Sequence, residues 1–129
     1  MAEEITLRAY IERIESMIRE GRMDEAIAHS AHILQFHPKD AVVYRNMGRA
    51  LMRLQRYEEA SEIFRRLLAA VPDDFSSHYQ LSIVYENENK GEAAIWHVER
   101  AFDQQPNNAQ VNDRLRELYK KFKQVDVDK

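Results

Sequence analysis

The side chains in this sequence best suited to holding a metal are its histidines, and three of them cluster at His29, His32 and His37. Imidazoles three or four residues apart share one helix face and can grip a metal between them. The chain has no cysteine, so such a site would need a ligand from elsewhere in the fold. The cluster therefore reads as ordinary surface histidine, while His78 reads as a packed ring and His97 as an exposed one. Without cysteine there is also no disulfide framework and no thiol nucleophile. No glycine-rich phosphate loop or nucleophile elbow is present. The 22 acidic residues fall on helix faces expected to be solvated. No catalytic group, cofactor or metal site is expected.

What positions these residues follows from composition and pattern. The chain has 129 residues, of which 44 % are hydrophobic and 32 % charged. That is one globular domain with one sizeable core. Three glycines and three prolines are too few for a strand-and-turn protein. With 19 basic residues against 22 acidic ones the formal charge is −3, which disfavours a nucleic-acid or membrane-surface role. No apolar run approaches the ~20 residues of a spanning helix. The opening residues Met1 to Arg8 carry no basic-then-apolar signal pattern, so the expected location is cytoplasmic.

The prolines expose a repeat. Pro38, Pro72 and Pro106 are spaced by 34 residues, as are Ala26, Ala60 and Ala94. Asp40, Asp74 and Asn108 keep the same step, and so do Asp24, Glu58 and Glu92. Four registers in phase mark a repeat architecture. Inside each period the apolar spacing is helical: Tyr44, Met47, Leu51 and Leu54 make one face, and Ala60, Ile63, Phe64, Leu67 and Leu68 another. Each proline stops a helix, and Asp40, Asp74 and Asn108 cap the helix that follows. Gly21 supplies a left-handed turn; Asn89 can do the same, whereas Gln55 is a weaker choice. The pattern predicts helices over 4–20, 24–37, 41–54, 58–71, 75–88, 92–105 and 109–123, with no competing strand.

These residues resemble the tetratricopeptide repeat (TPR) family. The second copy reads Tyr44-x-x-Met47-Gly48-x-x-Leu51, then Ala60-x-x-x-Phe64 and Pro72. The third has His78, Leu81, Ser82, Tyr85, Ala94, Val98 and Pro106. Small residues in these pairs, Gly48 against Ala60 and Ser82 against Ala94, are expected to let two helices approach closely. The first copy diverges: Arg13 and Ile14 replace the Leu-Gly pair, and Ile14 is expected to push its helix outward or shift its register. The resemblance implies an all-α fold, an α-α superhelix or TPR-like solenoid of three antiparallel helix pairs plus a capping helix, forming a short right-handed arc. A single domain over 1–129 is expected, with repeats at about 7–40, 41–74 and 75–108, a cap helix at 109–123 and a frayed tail at 124–129. In the cap, Leu115, Tyr119 and Phe122 share a face, while Asn112 and Arg116 stand where a further helix would need apolar residues. That suits a solvating cap; a piece of a longer repeat protein is the alternative.

The resemblance also implies that the first helix of each pair lines a concave surface that binds peptides. In the second copy that face carries Val42, Arg45, Asn46, Arg49, Met52 and Arg53. The third adds Ser76, Tyr79, Gln80, Ile83, Glu86 and Asn87, and the cap Arg114, Lys120 and Lys121. Arginine binds carboxylates through two parallel hydrogen bonds, and Asn46 and Gln80 could grip an extended backbone. The expected function is a non-catalytic interaction module whose groove of Arg45, Asn46, Arg49, Arg53, Tyr79, Gln80 and Arg114 holds an acidic or C-terminal peptide. Family members that clamp chaperone tails use basic and amide residues where this chain has Ile11, Glu15, Ser76 and Gln80, so that partner is disfavoured. The bland alternative is a solvated arginine face paired with Glu12 and Glu15.

A second expectation is self-association, as a homodimer or scaffold. Trp96 stands at a mostly solvent-facing point of its helix, open to a partner or tucked under Val125 and Val127. The first helix, with Ile5, Leu7, Ile11, Ile14 and Ile18, is apolar over more than one stripe and could pair with a copy of itself. RNA binding by a related repeat class ranks behind both, given the acidic balance.

Overall fold

The computed structural model describes residues 6–123. Seven α-helices follow one another there: α1 (Leu7–Arg19), α2 (Met23–Phe36), α3 (Ala41–Arg53), α4 (Tyr57–Ala70), α5 (Phe75–Asn87), α6 (Gly91–Gln104) and α7 (Ala109–Leu118). A π-helical turn, Tyr119–Lys123, follows α7 directly. The described residues include no strand, and no helix among them is long and apolar enough to cross a membrane. The seven helices match the expected ones to within a few residues. The first begins later than expected because Thr6 is its N-cap, its hydroxyl accepting the Ala9 N–H at 3.1 Å. The expected frayed tail lies outside the described residues.

The helix ends repeat with the sequence. Asp40, Asp74 and Asn108 accept the N–H groups of Val43, Ser77 and Val111. Each satisfies a donor that the first helical turn leaves orphaned. Within each helix pair one residue turns left-handed: Gly21 at φ 79°, Gln55 at 58° and Asn89 at 59°. The following N–H groups of Arg22, Arg56 and Lys90 reach back to the carbonyls of Met17, Leu51 and Tyr85 at 2.8, 3.0 and 2.8 Å, the six-to-one bond of a Schellman ending. A third device also recurs. The Tyr44 hydroxyl donates to the Pro38 carbonyl at 2.8 Å. One period on, His78 Nε2 donates to the Pro72 carbonyl at 2.9 Å, and then Asn112 Nδ2 to the Pro106 carbonyl at 3.1 Å.

The described residues fall into two compact units, one ending at Ala70 and one beginning at Val71. In the first, Ile14, Met17 and Ile18 pack with Met23, Ala26 and Ile33 and with Val43 and Ala50. Ile14 is thus a core residue, and α1 and α2 approach each other less extensively than α3 and α4 do. Gly48 lies against the Phe64 ring, whose Cζ would lie 2.5 Å from a Cβ placed there. Glycine here clears the space that a buried phenylalanine fills.

In the second unit Ala94, Ile95, Val98, Ala101, Val111 and Leu118 form the core. Leu118 takes the fully buried place, while Leu115, Tyr119 and Phe122 pack partly buried beside it. The π-helical turn carries Phe122 against Gly91, where any Cβ would overlap the ring.

Candidate functional site

Steps of four, three and four residues put Val42, Asn46, Arg49 and Arg53 on one stripe of α3. Asn46 is only 3 % exposed. Its Nδ2 donates to Glu15 Oε2 on α1 at 3.3 Å, and its Oδ1 accepts from Arg49 Nη2 at 3.3 Å. This corrects the expectation that Asn46 is open to a peptide backbone: both ends of its amide are engaged inside the unit. Arg53 Nη1 donates to the Ile18 carbonyl at 3.2 Å. It thereby satisfies an orphan acceptor at the negative end of the α1 dipole. Arg45 is half-buried and has a partner of its own. Arg49 is exposed, as Arg53 is, and is hydrogen-bonded to the neutral Asn46 amide.

Beside this stripe α1 and α3 enclose an open hollow of about 380 Å³, lined by Leu7, Ile11 and Val42 with Arg8, Glu12 and Glu15. Val42 is 41 % exposed there. Arg8 and Glu12 pair with each other at 3.4 Å, so Glu12 is engaged on its own helix. Of the apolar residues expected to make α1 sticky, Ile14 and Ile18 are buried and Leu7 and Ile11 partly so; Ile5 lies outside the described residues.

In the second unit the expected site residues are less available. Arg114 Nε donates to Ser82 Oγ at 2.7 Å and its Nη2 to Glu86 Oε1 at 2.8 Å. Its guanidinium lies 5.9 Å from the centre of the Tyr79 ring. Lys121 takes the other oxygen of Glu86 at 3.3 Å. Arg114 is therefore paired and braced within its own unit. Tyr79 and Gln80 are half-buried.

Ser82 and Glu86 were not foreseen in these roles, and Glu15, expected to pair with the arginine face of α3, meets it through Asn46. A signal for them exists in the numbering. Side chains on successive first helices meet at separations of 28 to 35 residues: Glu15 with Asn46, Ser82 and Glu86 with Arg114, Glu86 with Lys121. These separations scatter around the 34-residue period, so a polar residue's partner stands near the equivalent position one repeat on and not at it.

Trp96 is 50 % exposed. Its ring meets His78 and His97 edge-on at 5.8 and 4.9 Å, with the Arg100 guanidinium 5.2 Å from its centre. Val125 and Val127, its alternative cover, lie outside the described residues. His97 is not exposed as expected: it is half-buried, stacked on Tyr85 at 5.4 Å and bonded to His78. His29 accepts or donates at Nδ1 to the Tyr10 hydroxyl at 2.8 Å, and His32 meets Phe36 edge-on. No three metal-binding side chains gather among the described residues.

Partial burial, with help from the Glu99 carboxylate that its hydroxyl bonds at 2.8 Å, holds the Tyr119 phenol above its ordinary range. At the surface, hydrogen bonds from Arg22 and Arg56 hold Glu25 and Glu59 below the usual carboxylate range.

Comparison with known proteins agrees with the repeat pattern. A tetratricopeptide repeat family profile matches residues 17–82, about half of the chain. No curated protein matches the sequence. Among solved structures, the first TPR of Spaghetti (RPAP3), bound to the HSP90 peptide SRMEEVD, superposes with TM-score 0.84 at 21 % identity, covering 88 % of this chain and 90 % of that one. The Arabidopsis OM64 TPR domain gives 0.82 at 13 % identity, covering 88 % and 93 %. MamA from Desulfovibrio magneticus RS-1 gives 0.81 at 18 % identity; this chain is matched over 88 % of its length but spans only 64 % of MamA's. These likenesses are of fold. With the family profile matched, four sequence registers in phase and seven helices in the order they require, the chain belongs to the tetratricopeptide repeat family.

Proposed function

We propose that this chain is a non-catalytic protein-interaction module that holds an extended peptide against the exposed face of α3, reading a carboxylate of that peptide with arginine. The observation that carries the reading is Arg49: an exposed guanidinium whose hydrogen-bond partner is the neutral Asn46 amide. Arg8, Arg22, Arg56, Arg66, Arg100, Arg114 and Arg116 have carboxylate partners; among the described residues Arg49 shares the lack of one with Arg13 and Arg19 on α1 and with Arg53, which donates to the Ile18 carbonyl instead. A guanidinium without a carboxylate keeps its two-pronged binding geometry available. The RPAP3 domain of similar fold was solved with a peptide, SRMEEVD, that carries three acidic residues, which supports an acidic segment or C-terminus as the ligand class. Tyr79, Gln80 and Arg114 form a second, more neutral face in their own unit.

The test is a peptide array with free and amidated C-termini, probed at two salt concentrations with wild type and with the Arg45→Glu/Arg49→Glu double variant. Acidic peptides retained by wild type and lost by a folded double variant support the reading, and equal binding by both removes it. Self-association is the second reading, favoured by the half-exposed Trp96. A solution mass that rises with concentration and is reset by Trp96→Ser would support it.

A further inference from the structure

We infer that the first unit reads a peptide in which an aliphatic side chain and a carboxylate stand three residues apart, the aliphatic group in the Leu7–Ile11–Val42 hollow and the carboxylate on Arg49. The inference rests on the peptide-binding reading above and narrows its ligand. Its two anchors lie on one stripe of one helix. Val42 contributes an exposed apolar surface to a hollow of about 380 Å³, and Arg49 carries the charge without a carboxylate partner among the described residues. Seven residues of helix separate them, a rise of ~10 Å. An extended chain covers that distance in about three residues.

The ground between the anchors sets the middle of the motif. Glu15 Oε2 lies there, bonded to Asn46, so an acidic residue at the intervening positions would face a like charge, while a neutral or basic one would not. Beyond Arg49, Arg53 is committed to the Ile18 carbonyl. The arrangement therefore favours one carboxylate at a defined distance from one aliphatic group over a run of acids. The occupant is a peptide and not a bare anion: Arg8 on the wall of the hollow is paired with Glu12, Glu15 adds a further negative charge, and Leu7, Ile11 and Val42 offer an aliphatic group its contact.

The experiment measures fluorescence anisotropy of the full chain with dye-labelled, C-terminally amidated peptides. Each has a Ser/Gly background with one Leu and one Glu placed one to six residues apart. Affinity is expected to peak at a separation of three. Replacing Leu by Ser or Glu by Gln in the best peptide should each cost about tenfold. Val42→Glu in the protein should abolish the dependence on Leu, and Arg49→Gln the dependence on Glu; circular dichroism checks that both variants fold, with Val42→Ser as the milder substitute. Affinity that ignores spacing, yet is lost with Arg45→Glu/Arg49→Glu, would overturn this inference and leave the broader reading standing. Failure of every acidic peptide, here and on the array, would overturn both. A concentration-dependent mass abolished by Val42→Glu would assign the hollow to a second copy of the chain and overturn the inference as well.

Discussion

The Nδ1 atoms of His78 and His97 lie 3.0 Å apart, and the opposite nitrogen of His78 sits 2.9 Å from the Pro72 carbonyl. A carbonyl only accepts, so Nε2 of His78 carries its proton and Nδ1 is left as acceptor for the N–H of His97. His78→Tyr should keep the bond to Pro72, as Tyr44 keeps the one to Pro38, whereas His78→Phe leaves that carbonyl without the His78 donor. In urea titrations His78→Phe should lose about 1–3 kcal/mol and His78→Tyr less. Equal losses in the two variants would refute the account.

Gly48 tests how tightly α3 and α4 depend on a missing methyl. An added Cβ would press on the Phe64 ring, a buried side chain with no room to leave. Gly48→Ala should cost about 1–3 kcal/mol in a urea titration, the range for overpacking a core. A compensating Phe64→Leu should return part of that loss, giving a double-mutant coupling between the two sites. Additive losses would mean that the glycine serves its helix backbone alone.

Much of this fold was legible because the period repeats the same physical devices. Asp40, Asp74 and Asn108 announced three caps, and all three side chains make the bond expected of them. Gly21 and Asn89 announced left-handed turns, and the equivalent Gln55 adopts one despite its type. The candidate site was less legible for a related reason. Asn46 and Arg114 are polar residues on an exposed-looking stripe, yet neighbouring helices supply Glu15 and Glu86 to them. Residue type reports what a side chain can bond, and only the packing reports whether a neighbour has already bonded it. The π-helical turn after Leu118 left no mark in the apolar spacing, which fits an α-helix as well.

Gln55 offers a route to a more stable protein. A side chain at φ 58° costs about 1 kcal/mol relative to glycine, because its Cβ crowds the following carbonyl. Gln55→Gly should therefore raise stability by several tenths of a kcal/mol to about 1 kcal/mol, after allowing for the added freedom of the unfolded chain. Asn89→Gly should gain less, since asparagine tolerates this conformation through local hydrogen bonds. Equal gains at both positions, or none at either, would contradict the ranking.

Tyr119 predicts an alkaline limb. Its phenol is held above the ordinary value of 10.0 by partial burial and by the carboxylate of Glu99. The native state thus keeps a proton that the unfolded state gives up. The stabilisation is complete below the unfolded value and is lost as pH rises through the native one. Tyr119→Phe should flatten the stability profile above pH ~10 relative to wild type. Ultraviolet titration should show one tyrosine ionising late, and its absence from the wild-type curve would remove the prediction.

Asn46 decides whether its amide serves the fold or a ligand. Nearly buried between Glu15 and Arg49, it leaves a carboxylate short of a donor when removed, so Asn46→Ala should cost about 1–3 kcal/mol. Asn46→Asp sharpens the test, because it sets a second carboxylate against Glu15. Arg49 already reaches Oδ1 and can pair with the new charge, which keeps the deficit at pH 7 toward the low end of the same range. If Asn46 served only to grip a peptide, both variants would match wild type in urea at every pH and differ from it only in peptide affinity.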